Sequence, residues 1–99
     1  MIDFDRITGF DWDSGNARKN EKHRVSETEA EQIFFDPRLL VMIDSLHSST
    51  EPRHHALGAT LDGRRLHITF TLRGSGTLIR VISARDMHRK ERRIYESEG

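Results

Sequence analysis

The sequence predicts a single α+β domain over residues 1–99. Its parts are two N-terminal helices, an antiparallel-dominated sheet of about four to five strands, and a C-terminal helix. Three observations carry this prediction. Leu66, Ile68, Phe70 and Leu72 alternate with polar residues, the period of a half-buried strand. Asp62-Gly63 and the stretch Gly74 to Thr77 punctuate the second half into hairpin-connected strands. Ser26-x-x-Glu29 is a capping box that opens a helix ahead of them.

Taken in order, residues 3–12 read as a short strand or extended segment anchored by Phe4, Ile7, Phe10 and Trp12. Asp13 or Ser14 can cap a helix running to about His23, because either side chain accepts from an orphan N–H. That helix is polar nearly all round, which predicts a surface position with little buried area. The helix after Ser26 turns Ala30, Ile33 and Phe34 inward and stops before Pro37. Leu39 to Ile43 is a continuous apolar run of strand length, the pattern of a strand buried on both faces inside a sheet. Residues 44–52 form a loop. Strands follow at Arg53–Leu61, Arg64–Arg73 and Leu78–Arg85. Asp86 is the expected cap of a last helix from Met87 to about Glu96.

Composition narrows the class. Hydrophobic residues make up 34% and charged residues 32%, a soluble globular balance, and no run approaches the ~20 apolar residues of a membrane span. The opening Met-Ile-Asp-Phe-Asp-Arg lacks the basic start and apolar core of a secretory signal. With no cysteine in the chain, this predicts a cytoplasmic protein without disulfides. The six histidines are scattered, and adjacent His54 and His55 point to opposite strand faces, so neither a metal site nor a cofactor is expected. Charge is uneven. Residues 1–52 hold 6 Lys/Arg and 11 Asp/Glu, a net of −5, and residues 53–99 hold 10 and 5, a net of +5. Either the molecule has a basic surface and an acidic one, or its halves neutralise each other within the fold.

Side-chain period fixes which arginines share a face. A two-residue loop at Asp62-Gly63 sets Leu57 against Ile68, Ala56 against Thr69 and His54 against Thr71. A four-residue loop at Gly74–Thr77 sets Arg73 against Leu78 and Arg80 against Thr71. One face then carries Leu57, Ala59, Leu66, Ile68, Phe70, Leu72, Ile79 and Val81, a core. The other carries His54, His67, Thr69, Thr71, Arg73 and Arg80. Ser83 and Arg85 point back toward the core side, with Arg85 free to reach out from the strand end.

An ordered set of short matches resembles the BrnT toxins of bacterial type II toxin–antitoxin systems. It runs through Phe10-Asp-Trp-Asp13, Asn20, Lys22-His23, Val25-Ser26 and Glu29 to Pro37. It continues with His47, Arg53, Ala56-Leu57-Gly58, Thr71-Leu-Arg73, Arg80 to Arg85 and Arg89-x-Glu91-Arg92-x-x-Tyr95. Two departures stand out: one residue fewer before Lys22-His23, and Arg24 where the family often has glycine. The resemblance implies a RelE-like ribonuclease fold and RNA cleavage that arrests translation. It also implies a BrnA-like ribbon-helix-helix antitoxin, joined in a 2:2 heterotetramer that represses its own operon. The toxin would meet DNA only through that antitoxin, and no membrane.

RNA cleavage needs a group to take the 2′-hydroxyl proton, a group to protonate the leaving oxygen, and positive charge on the phosphorane. Arg73 and Arg80 suit the last role, since guanidinium donors match phosphate oxygens. Arg85 stands nearby, and Arg80 and Arg85 have an alternative as structural partners of Asp11, Asp13 or Glu91. Proton-transfer candidates are His23, His47, His54, His67 and Glu51. The register favours His54 and the resemblance favours His23. Lys19, Lys22, Arg89, Arg92, Arg93 and Tyr95 are candidate RNA contacts. The basic run 89–93 also suits an acidic antitoxin segment, and Tyr95 either stacks on a base or packs.

Overall fold

Five strands form one sheet: β1 (Gly9–Phe10), β2 (Leu40–Asp44), β3 (Arg53–Ala59), β4 (Arg65–Arg73) and β5 (Leu78–Asp86). Their order is β1-β5-β4-β3-β2, with β1 parallel to β5 and the other neighbours antiparallel, so the sheet is mixed. Three helices join it: α1 (Ser14–Glu21), α2 (Glu27–Gln32) and α3 (Arg89–Glu98). The structure, a computed structural model, describes residues 2–46 and 51–98, with every side chain there except those of Lys19 and Asn20.

The opening segment is not a long strand. A 3-10 turn at Phe4–Arg6, begun by the Asp3 side chain accepting from Asp5, leaves only Gly9–Phe10 to pair with β5. Asp13 caps α1 by accepting from the N–H groups of Gly15 and Asn16. The polar α1 is nevertheless tightly docked. Asn16 is buried, its amide donating to the carbonyls of Asp11 and Val81 and accepting from Asp13 N. One satisfied polar side chain thus does here what an apolar stripe does elsewhere. The capping box is present as expected: Glu29 N donates to Ser26 Oγ, and Ser26 N to Glu29, both at 3.0 Å.

The main core lies between α2, with the turns that flank it, and one sheet face. Val25, Ala30 and Ile33 meet Ala56, Leu66, Ile68, Phe70, Ile79, Val81 and Ala84 there. Each large side chain so buried contributes ~1.5–3 kcal/mol by transfer from water. Gly58 fits this packing, since a Cβ there would sit 2.9 Å from the Ile33 Cβ. A second cluster of Leu57, Met87 and Tyr95, with Leu40 and Ala59 against it, holds α3 on the opposite face. The C-terminal helix is capped differently from the expectation: Glu91 accepts from His88 N, while Asp86 stays in β5 and pairs with Arg64.

β2 is an edge strand, not an interior one. Its apolar run is split: Leu40 leans on the Tyr95 cluster, Val41 on the main core, and Met42 and Ile43 are exposed.

The two hairpins differ in how they meet the expected register. Arg73 pairs with Leu78 and Arg80 with Thr71 across the four-residue loop, as expected. The first hairpin is one residue out. Ala59 pairs with Arg65, Ala56 with Ile68 and His54 with Phe70. Gly63 has φ +85°, whereas Asp62 stays at negative φ, and Thr60 and Arg64 close the loop by a hydrogen bond of 2.9 Å. This is a three-residue loop with a glycine bulge in place of the two-residue primed turn. The slip exchanges the faces of β3: Ala56 and Gly58 enter the core, and Leu57 and Ala59 leave it. Further along β5, the partner of Thr69 is Ser83 and that of Phe70 is Val81, so Ile82 is an inserted bulge residue. The bulge turns Ala84 into the core and Ser83 and Arg85 onto the Arg80 face, opposite to the expectation.

Candidate functional site

The face of the sheet away from α2 brings the polar residues together. Along β4 it carries Arg65, His67, Thr69, Thr71 and Arg73. Beside them lie His55 on β3 and Arg80, Ser83 and Arg85 on β5. A cleft of about 340 Å³ opens where this face meets the α1 N-terminus, lined by Gly15, Asn16, Glu51, Arg53, Thr71, Arg73, Arg80 and Ile82. Three guanidinium-bearing residues on one small concavity suit a phosphodiester.

Carboxylates occupy the Arg73 and Arg80 guanidinium groups. Asp13 takes both Arg80 nitrogens, at 3.0 and 3.1 Å, with Asp11 3.5 Å away. Glu51 takes Arg73 Nη2 at 3.0 Å and Nε at 2.8 Å. The Arg80 contact, with the N–H groups of Asn16 and Gly15, holds the Asp13 carboxyl below its ordinary range. Arg64 repeats the pattern at the far end of β5, bonding Asp86 and Glu29 and the carbonyls of His23 and Arg24. Acids of the acidic half thus meet arginines of the basic half inside the fold.

Next to the cleft lies a chain of hydrogen bonds that sequence reasoning did not single out. His55 Nε2 is 2.9 Å from Asp44 Oδ2, and His55 Nδ1 is 3.1 Å from Thr69 Oγ1. The His55 ring lies 4.9 Å from that of His67. His67 is buried, which with the charge of Arg85 pushes its pKa down to about 4 despite Glu91 3.9 Å away. At neutral pH it is therefore uncharged. Burial opposes ionisation of Glu91, but Arg85 at 2.8 and 2.9 Å and the His88 N–H outweigh it and hold the carboxyl at about 2.

Several expected site residues lie elsewhere. His54 is on the core face because of the hairpin slip. It stacks on Phe70 at 5.3 Å between centroids and lines an apolar groove with Ile2, Phe4, Leu39, Val41 and Ile43. Burial lowers its pKa, and its Nδ1 has no hydrogen-bond partner among the described residues. His23 sits in the turn after α1, with its carbonyl on Arg64, at the Asp86 end of β5. Asp86 is six residues from Arg80, roughly 20 Å along a strand. Arg85 shares the polar face but is locked to Glu91. Tyr95 is buried against Leu57 and Met87, and its hydroxyl donates to Asp36 at 2.5 Å, so its ring is closed to a base. Lys22 is exposed beyond α1, and Arg89, Arg92 and Arg93 are exposed on α3. The side chain of Lys19 and the whole of His47 lie outside the described residues.

The signal that would have found His55 was in the chain: it is the histidine beside His54, and only the hairpin register decides between them. Among the described residues no helix is long and apolar enough to cross a membrane. A family model described as the ribonuclease toxin BrnT of a type II toxin–antitoxin system matches residues 12–91. No curated protein matches the chain. That span covers Trp12, the Asp13–Arg80 pair, both hairpins and Glu91, well over half of the molecule, and the chain belongs to the BrnT ribonuclease toxins of type II toxin–antitoxin systems.

Proposed function

We propose that this chain is an endoribonuclease toxin that cuts RNA without a metal cofactor, by attack of a 2′-hydroxyl on the adjacent phosphorus. The observation that carries the reading is the cleft in which Arg73 and Arg80 sit together with Thr71. Guanidinium groups fixed in place before the reaction stabilise the charge that develops on the phosphorane. Arg89, Arg92 and Lys22 extend the basic surface along which RNA would track. The α+β architecture is read as RelE-like, and RNA loss as the cause of arrested translation in the cytoplasm. Family membership implies an antitoxin partner. We assign that role to a BrnA-like ribbon-helix-helix protein in a 2:2 heterotetramer that carries the DNA contact.

Incubating the purified chain with RNA in the presence of EDTA tests this. Cleavage is expected to persist, and Arg73→Ala or Arg80→Ala to lower it on the order of 10²–10³-fold. Absence of cleavage by the parent chain would sink the reading. One observation favours a second one. Asp13 and Glu51 already satisfy both arginines, as in a molecule that only binds an antitoxin and acts as its corepressor. Tight antitoxin binding and operator repression with no growth arrest on expression would select that alternative.

A further inference from the structure

We propose that His55 is the residue that takes the 2′-hydroxyl proton, acting through the Thr69 hydroxyl and oriented by Asp44. The inference rests on the ribonuclease reading and adds to it the proton path, for which neither the family match nor the arginine cleft names a residue.

The tautomer follows from the partners. An ionised carboxylate only accepts hydrogen bonds, so the His55 nitrogen facing Asp44 carries the proton. In a neutral imidazole the other nitrogen is then an acceptor, and it receives the Thr69 hydroxyl at 3.1 Å. Asp44 Oδ1 is itself fixed by the Leu46 N–H. The order carboxylate, imidazole, hydroxyl is one that activates a hydroxyl elsewhere in enzyme chemistry, where a third group orients the base. Here the imidazole side chain is 29% exposed and the carboxylate only 10%. The base is within reach of solvent while the group that holds it is not.

The position matches the cleft. Thr69 is two residues from Thr71 on the same face of β4, about 6.6 Å along the strand. Thr71 faces Arg80 across the ladder. Thr69 itself is largely buried and stands beside the cleft rather than in its lining. The proposed path sets the 2′-oxygen against the Thr69 hydroxyl, with the phosphate held by the cleft arginines. As the bond from the 2′-oxygen to phosphorus forms, Thr69 Oγ1 takes the 2′-hydroxyl proton and passes its own to His55 Nδ1. The imidazolium is opposed by the charge of Asp44. The bond from phosphorus to the 5′-oxygen breaks, water protonates that oxygen, and the imidazolium returns its proton to solvent. The products are a 2′,3′-cyclic phosphate and a 5′-hydroxyl.

Other groups that face His55 do not compete for the role. His67 packs on it from β4 but is buried and, with its pKa lowered to about 4, a weak base, and Glu91 behind it is committed to Arg85 and the His88 N–H.

The test uses the purified full chain, a transcript that it cuts, and a 2′-deoxy version of the same sequence as a binding probe. His55→Ala and His55→Gln are expected to lower kcat by roughly 10²–10⁴-fold with affinity for the 2′-deoxy probe unchanged, and added imidazole to restore part of the rate in His55→Ala. Asp44→Asn is expected to lower kcat while KM stays, and His54→Phe to cut normally. If the parent cuts and both His55 variants cut as fast, the proton path is overturned and the ribonuclease reading stands. If the parent does not cut, both fall. A His55→Ala chain that fails to fold leaves the decision to His55→Gln, which keeps a polar side chain at that position.

Discussion

Arg80 and Arg85 leave the same face of β5, and each closes a two-bond fork on a carboxylate that also caps a helix. Asp13 serves Arg80 and the start of α1, and Glu91 serves Arg85 and the start of α3. The acids differ in their access to water: the Asp13 side chain is 57% exposed and that of Glu91 22%. Exposed pairs exchange partners at little cost, because water and salt stabilise each charge when the other leaves. A sheltered pair does not, because breaking it strands a charge in low dielectric. Two forks alike in form, at 3.0–3.1 Å and 2.8–2.9 Å, therefore differ in how open their acids are. Under the proposed ribonuclease reading Arg80 would trade its carboxylate for a phosphate, whereas Arg85 pins α3 to the sheet.

Alanine at each position separates them. Arg80→Ala should cut RNA on the order of 10²–10³-fold more slowly, with a denaturation midpoint near that of the parent. Arg85→Ala should lose about 1–3 kcal/mol of stability, read by urea unfolding, with cleavage falling only as the folded fraction falls. The reverse pattern would break the comparison. The Tyr95 cluster sets a limit on the second effect, since α3 keeps its apolar contacts with Leu57 and Met87.

Acid should attack only the Arg85 side of the comparison near pH 5. The folded pKa of His67, about 4, lies below its ordinary 6.5, so the unfolded chain binds this proton more readily. Its contribution is fully present above pH 6.5 and is lost as pH falls from 6.5 to 4. Glu91 follows, between its ordinary 4.5 and about 2. Unfolding free energy measured by urea is expected to fall on the order of 2–3 kcal/mol between pH 7 and pH 4.5 through His67. His67→Phe should flatten that slope. An equally steep slope in the variant would assign the loss to other groups.

Much of this arrangement was legible in the chain. The capping box, the succession of hairpin-connected strands in the second half, and the Arg80–Thr71 pairing follow from local chemistry that the tertiary structure leaves intact. What was not legible turns on single residues. Asp62-Gly63 suits two turn types whose registers differ by one, and that one residue moved His54 inward and His55 outward. The bulge at Ile82 has no local signature, yet it decides where Arg85 points. An apolar run does not reveal whether a strand is central or at an edge, as β2 shows. Arg24 was legible as an oddity and has a backbone reason. Its φ is +56°, in the left-handed region, while its carbonyl holds Arg64. Arg24→Gly removes a Cβ from that conformation without touching either β5 arginine, and should raise stability by about 0.5–1 kcal/mol with cleavage unchanged. Loss of stability would mean that the Arg24 side chain contributes more than its backbone costs.

The smallest expected effect is the most direct probe of exchange at Arg80. Asparagine caps a helix as well as aspartate does, so Asp13→Asn keeps α1 in place while removing the charge that competes for the guanidinium. Phosphate would then meet Arg80 with Asp11, 3.5 Å away, as the remaining acid. Affinity for a 2′-deoxy RNA should rise roughly two- to five-fold at low salt, and the gain should shrink as ionic strength increases, because exposed charges are screened. The matching change Glu91→Gln should leave that affinity as it was and lower stability instead, since Arg85 does not line the Arg73–Arg80 cleft. If Asp13→Asn binds RNA no better, the carboxylate does not occupy the phosphate position, and Arg80 is a structural partner of α1 in the same sense that Arg85 is of α3.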